Sequence, residues 1–291
     1  MKKLIIGVMS LGMVACQQAA PPVAKRGAKM RPTAILIKEP TPGAKPDGPL
    51  PSANLRISDT LTVPMRSLLK EYDLARLWSS EDSTNEVSPI QQLDGFFGPD
   101  RYRIAFVIAS ARRDGLDPSL FHVTGKNRYK KRVSSFIGII RVRVVQDLKV
   151  EYLDLAPEDS LAQAYTAKAQ FRFQEDSTQS GAGTFEGTGV LDFYITPRGE
   201  IGQVMFVDGL HYPARGQGIL FKGHWTNRQI GPKKELLLAR DIFRIAPDVL
   251  EKFGIGERAA EINPKYAKLG WNELWENDEW WAETPKPSLN L

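Results

Sequence analysis

The stretch TFEGTGVLDFYIT, residues 184–196, alternates without a break. Phe185, Gly187, Gly189, Leu191, Phe193 and Ile195 fall on one side of an extended chain. Thr184, Glu186, Thr188, Val190, Asp192 and Tyr194 fall on the other. A period of two with one apolar side predicts a half-buried strand, and two glycines on the apolar side suit strong curvature. Thr196, Pro197, Arg198 and Gly199 then read as a tight hairpin connection. Proline presets one turn dihedral and glycine accepts a positive φ.

The same signal recurs in both directions along the chain. Strands are predicted at 102–109, 121–124, 135–145, 164–173, 199–208, 218–226 and 235–239. Arg141 and Arg143 alternate with apolar residues, which gives that strand one wet face. Around eight strands at short spacing, with no helix of crossover length between them, predict a mainly β fold, an antiparallel barrel or sandwich. Phe136-x-Gly138, Phe185-x-Gly187 and Phe221-x-Gly223 repeat one step, and Gly223-His224-Trp225 follows the last. In this pattern the body resembles calycin-type barrels, whose strands curve around an apolar pocket. Lipocalins carry Gly-x-Trp near the first strand, whereas here it comes late. The resemblance implies a ligand pocket lined by Phe185, Leu191, Phe193 and Trp225.

Helical signals flank the strands. Met65, Leu68, Leu69, Tyr72 and Leu77 recur at helical steps over 63–78, and Pro64 suits a first turn. At the other end, Trp271, Trp275, Trp280 and Trp281 are four of the six tryptophans and sit in an otherwise acidic run. Trp271, Leu274, Trp275 and Asp278 share a face if that run is helical. Such a helix either docks on the sheet or presents the tryptophans as an aromatic platform for a glycan or a protein partner.

The amino terminus has a different character. Lys2 and Lys3 precede an apolar run, residues 4–14, too short to span a bilayer comfortably, and Ala15-Cys16 follows. Residues 1–17 resemble a bacterial lipoprotein signal, whose lipobox ends in a small residue before cysteine; Met13 stands where leucine is usual. The resemblance implies cleavage after Ala15 and acylation of Cys16. Acyl chains bury about 0.8 kcal/mol per methylene, so several chains hold where one is marginal. Gln17, where an inner-membrane retention signal would place Asp, implies an outer-membrane protein facing the periplasm. Cleavage removes Lys2 and Lys3 and lowers the formal charge from +5 to +3. Residues 17–52 hold eight of the twenty prolines and read as a tether, about 110 Å long if fully extended. Three segments result: a signal peptide over 1–15, an acylated cysteine and tether over 16–52, and one mainly β domain over 53–291.

The 291 residues are 42% hydrophobic and 25% charged, which excludes a disordered or collagen-like chain. With one cysteine, Cys16, there is no intramolecular disulfide. No nucleophile elbow, Walker A loop, His-Glu-x-x-His or calcium loop occurs, so no cofactor or metal is expected. Ser67-x-x-Lys70 matches a penicillin-binding motif without its companion motifs. His211 and His224 are scattered relative to Asp192, Asp208 and Glu186, and Glu186 lies about 20 Å along the strand from Asp192. Lys126, Arg128, Lys130, Lys131 and Arg132 place five cations in seven residues around Tyr129. Behind a lipoprotein signal, nucleic acid is not the expected partner; that run reads as a solvated turn or as a contact for anionic headgroups. The expectation is a non-enzymatic lipoprotein that binds an apolar ligand or an envelope component. The alternatives are a protein–protein assembly module, using a sheet edge or the tryptophans, and an envelope enzyme.

Overall fold

The computed structural model describes residues 61–80, 92–149, 162–204, 212–215, 218–227, 232–252, 261–274, 276 and 279–283. All of them belong to one compact unit, Arg56–Leu291. The signal and tether assignments, with Cys16, lie outside the described residues, as do Asp208, His211, Trp275 and Asp278.

Strands β1 (Leu93–Phe97), β2 (Tyr102–Arg113), β3 (Leu120–Tyr129), β4 (Arg132–Asp147), β5 (Gln163–Glu175) and β6 (Gly183–Ile195) pair antiparallel in chain order. The three-residue β7 (Ile201–Gln203) returns beside the end of β6, and β8 (Ile219–Asn227) continues along the same edge. β9 (Lys234–Ala239) pairs with both β8 and β1, which closes the sheet into an eight-stranded up-and-down barrel with β7 as a spur. The barrel alternative predicted from the strand spacing is therefore the one adopted. The hairpin at 196–199 is present, with Gly199 at φ +83 and its N–H donating to the Thr196 carbonyl.

Alternation fills the interior. Phe185, Leu191 and Phe193 of β6 point inward and are at most 1% exposed. They meet Phe106, Phe121, Phe136, Phe171, Phe173 and Phe221 from the facing strands. The rings pack edge to face or offset, with Phe106–Phe185 centroids 5.0 Å apart and Phe171–Phe221 5.1 Å apart. Each fully buried ring contributes roughly 2–3 kcal/mol. The outer wall along β5 and β6 carries Lys168, Gln170, Arg172, Thr184, Glu186 and Thr188.

The helix predicted over 63–78 forms as two pieces, α1 (Val63–Glu71) and α2 (Ala75–Trp78). Asp73 lies between them, and its carboxylate accepts the Ala75 N–H at 2.9 Å, a local turn at the start of the second helix. Arg113 donates to the carbonyls of Leu69 and Lys70, which the end of α1 leaves unpaired. Leu69, Leu74 and Trp78 are fully buried in the barrel core, and Trp78 meets Phe221 at 5.9 Å. The pair of helices stoppers one end of the barrel.

The carboxyl segment is not one tryptophan-rich helix. After β9 come α3 (Ile242–Ile245), a 3-10 turn at Pro247–Val249, a small hairpin of β10 (Leu250–Lys252) and β11 (Glu261–Ile262), α4 (Pro264–Ala267), and a second 3-10 turn at Trp271–Glu273. These pieces cover the outer faces of β1 and β9, where Phe96 and Ala239 pack with Ile242, Val249, Tyr266 and Trp271. Among the described residues no helix is long and apolar enough to cross a membrane.

Candidate functional site

The turns at 98–101, 130–131 and 176–182 lie at the end of the barrel opposite the α1–α2 stopper. There the inward alternation carries on with different residues. In β5 the apolar phase of Phe171 and Phe173 continues into Glu175; in β3 that of Phe121 and Val123 continues into Asn127 and Tyr129. Phe97 ends β1, Trp225 and Asn227 end β8, and Lys234 begins β9. With Arg132, Ser134 and Phe185 these side chains line a cavity of about 280 Å³ at the barrel mouth.

Glu175 organises the floor of this mouth. It is buried, and its carboxylate accepts three hydrogen bonds: from Asn127 Nδ2 at 3.0 Å, from the Gly183 N–H at 2.9 Å and from Trp225 Nε1 at 2.9 Å. Charge-assisted bonds of this kind fix their donors, so the plane of Trp225 is set by the carboxylate behind it. Above it, the ammonium of Lys234 sits in an aromatic cage. Its Nζ lies 5.1 Å from the Phe97 ring centre, 5.2 Å from Trp225 and 5.9 Å from Tyr129, all within cation–π range. Lys130 lies on the rim, 5.0 Å from Tyr102 and 5.4 Å from Tyr129.

The residues singled out in the sequence are distributed as follows. Phe185 and Trp225 meet on the mouth cavity, their rings 6.5 Å apart. Leu191 and Phe193 lie in the packed interior instead, with Phe193 stacked on Tyr165 at 5.5 Å. The basic run does not present one face. Lys126 donates to the Trp281 carbonyl on the outer wall at 2.6 Å, and Arg128 lies 5.3 Å over Trp280. Lys131 pairs with Glu273 at 3.3 Å, whereas Lys130 and Arg132 go to the mouth. Of the tryptophans, Trp271 is fully buried with its Nε1 donating to the Arg101 carbonyl, and Trp280 is 5% exposed over Ala105 and Val107. Trp281 is half-buried edge-on to Trp280. Docking, not an open aromatic platform, is what Trp271 and Trp280 do.

Glu175, Asn127, Phe97 and Lys234 escaped the sequence reading. Their signal was there for Glu175 and Asn127: each is a polar residue on the inward phase of a strand.

Other polar centres serve the wall. His224 meets Glu186 at 3.1 Å with Arg172 at 3.8 Å from the same carboxylate, a cross-strand set on the outside. At the stoppered end His122 meets Asp114 at 2.9 Å. That bond and the Leu116 and Asp117 N–H groups hold the Asp114 carboxyl down at about 2. Among the described residues no group of three His, Cys, Asp or Glu side chains could hold a metal ion. Ser67 and Lys70 are both exposed on α1. A larger groove, about 640 Å³, runs outside β8 and β9 between Arg101, Arg215 and Lys222, where Arg101 already pairs with Asp248. No protein-family model, curated protein or solved structure matches the chain.

Proposed function

We propose that the chain is a lipid-anchored envelope protein whose barrel is a binding module, with the mouth as its binding face. The observation that carries this reading is the contrast between the two ends. One is stoppered by α1 and α2; the other gathers Phe97, Tyr129, Trp225, Asn127, Arg132 and Lys234 around an open cavity. Rings and polar groups held on a rigid barrel are the ordinary make-up of a small-molecule site. At about 280 Å³ the cavity is at the small end for such sites, and the interior beneath it is packed with rings. The ligand therefore enters by a headgroup or a ring, not by an acyl chain lying along the barrel axis. Glu175 is committed to three donors, which suits holding the mouth in shape better than moving protons.

Native mass spectrometry of the full chain, extracted from membranes in detergent, tests the reading. A reproducible extra mass lost on mild activation is expected for the wild type and absent from Trp225→Ala. A mass that persists in the variant would move the site away from the mouth.

A further inference from the structure

Among the described residues, three cations at the mouth have no carboxylate partner. Neither Lys130, Arg132 nor Lys234 forms an ion pair there, although Lys131 in the same turn does. Lys130 and Lys234 share one ring, Tyr129, as their resting contact, and Arg132 lines the same cavity as Lys234. Aromatic faces hold the two ammonium groups in place without neutralising them. An incoming anion would gain charge-assisted hydrogen bonds without having to break an existing ion pair.

The backbone adds an independent observation. Lys130 and Lys131 form the two-residue β3–β4 turn with φ +49 and +64. Such a turn is met at least strain by Asn-Gly, and a lysine there is held in a sparsely populated region. What the strained residue does is place an ammonium over Tyr102 and Tyr129 at the rim.

From these placements we infer that the mouth holds a phosphate group carried on a sugar or glycerol, clamped by Lys130, Arg132 and Lys234. This rests on the mouth being the binding face. Three cations on separate strands and a turn suit a multiply charged tetrahedral anion better than a flat carboxylate, which one arginine would grip in bidentate fashion. Trp225, Tyr129 and Phe97 offer flat apolar faces to the C–H groups of the carrier. Among the described residues that line the cavity the carboxylate is Glu175, which lies at the floor and is occupied by Asn127, Gly183 and Trp225.

The test follows the indole N–H resonance of Trp225 in the ¹⁵N-labelled full chain, identified by its loss in Trp225→Phe. Glycerol phosphate and a hexose phosphate are titrated against glycerol and the plain hexose. A saturable shift with the phosphorylated compounds alone is expected, weakening as salt is raised. Arg132→Gln, at an exposed position that leaves folding intact, and Lys234→Gln should each weaken binding about tenfold or more. Lys168→Gln, on the outer wall of β5, should change nothing. Unacylated Cys16→Ser chain mixed with phosphatidylglycerol vesicles separates the sources. Co-sedimentation lost in Lys234→Gln assigns a lipid headgroup, whereas hexose phosphate binding without co-sedimentation assigns a phosphorylated glycan. Equal shifts with the unphosphorylated compounds, or wild-type affinity in both Arg132→Gln and Lys234→Gln, overturn the phosphate inference while leaving the mouth as a site. A retained native ligand that never moves the Trp225 resonance overturns both.

Discussion

Asp192 sits at an outward position of β6 and is nevertheless 1% exposed, because the connection that carries Val204 and Ala214 covers it. Burial pushes its carboxyl above the usual range; the Thr166 hydroxyl at 2.7 Å and the Ala214 N–H at 2.9 Å pull it partly back. A carboxyl raised on folding binds its proton more tightly in the native state. Its contribution to stability is thus full below the ordinary carboxyl value of 3.8 and is lost as pH rises through the native value. The substitution Asp192→Asn would keep both hydrogen bonds, since an amide can face a hydroxyl with its NH₂ and an N–H with its oxygen. In urea unfolding, Asp192→Asn should match or exceed the wild type at pH 8 and lose ground to it towards pH 4. A variant weaker at every pH would mean that the charge itself anchors the connection. Parity in the sequence placed Asp192 on the outer side correctly. Its burial was not legible there, because the covering segment comes from another part of the chain.

The strands themselves were the most legible elements, since alternation is a local signal that survives into the fold. β6 keeps the alternation read from residues 184–196, and β2 to β5, β8 and β9 fall on the apolar runs. β1 was missed for a physical reason. Its five residues are buried on both faces, Phe97 inside and Phe96 under Trp271, so no alternation of polarity marks it. The tryptophan run misled in the opposite way: its helical spacing is real, yet Trp271 and Trp280 dock at separate places on the wall. The glycines Gly187 and Gly223 mark a close approach of the β6 and β8 backbones. Gly187 faces Gly223 across the ladder. A Cβ on Gly223 would press into the Glu186 carbonyl oxygen and stand 2.9 Å from the Gly187 Cα, against backbone that cannot swing aside. Gly223→Ala should therefore cost roughly 2–3 kcal/mol in thermal or chemical unfolding. Gly115→Ala, at a site with nothing within 4 Å, should be neutral to within about 0.5 kcal/mol. Equal stability of the two variants would mean that β6 and β8 are free to move apart.

At the scale of the molecule the polarity of the wall decides how the barrel can meet a membrane. A barrel that spans lipid is apolar outside and polar within. Here the inward positions below the mouth are rings and aliphatics, while Lys168, Arg172 and Glu186 project from the wall. The described wall is thus unlike that of a lipid-spanning barrel, and in the proposed function attachment to a bilayer comes from elsewhere in the chain. Cys16 supplies it in the proposed function, through its acyl chains. In that reading the barrel would contribute cations at its mouth, whose attraction to anionic headgroups is screened by salt, and the acyl chains a hold that salt does not screen. The two contributions separate in one fractionation. The wild-type chain should take up a clickable palmitate and stay with the membranes through a high-salt wash, while Cys16→Ser should take up none and leave with the wash. If Cys16→Ser remained membrane-bound at high salt, the hold would have to be apolar and to lie outside the anchor.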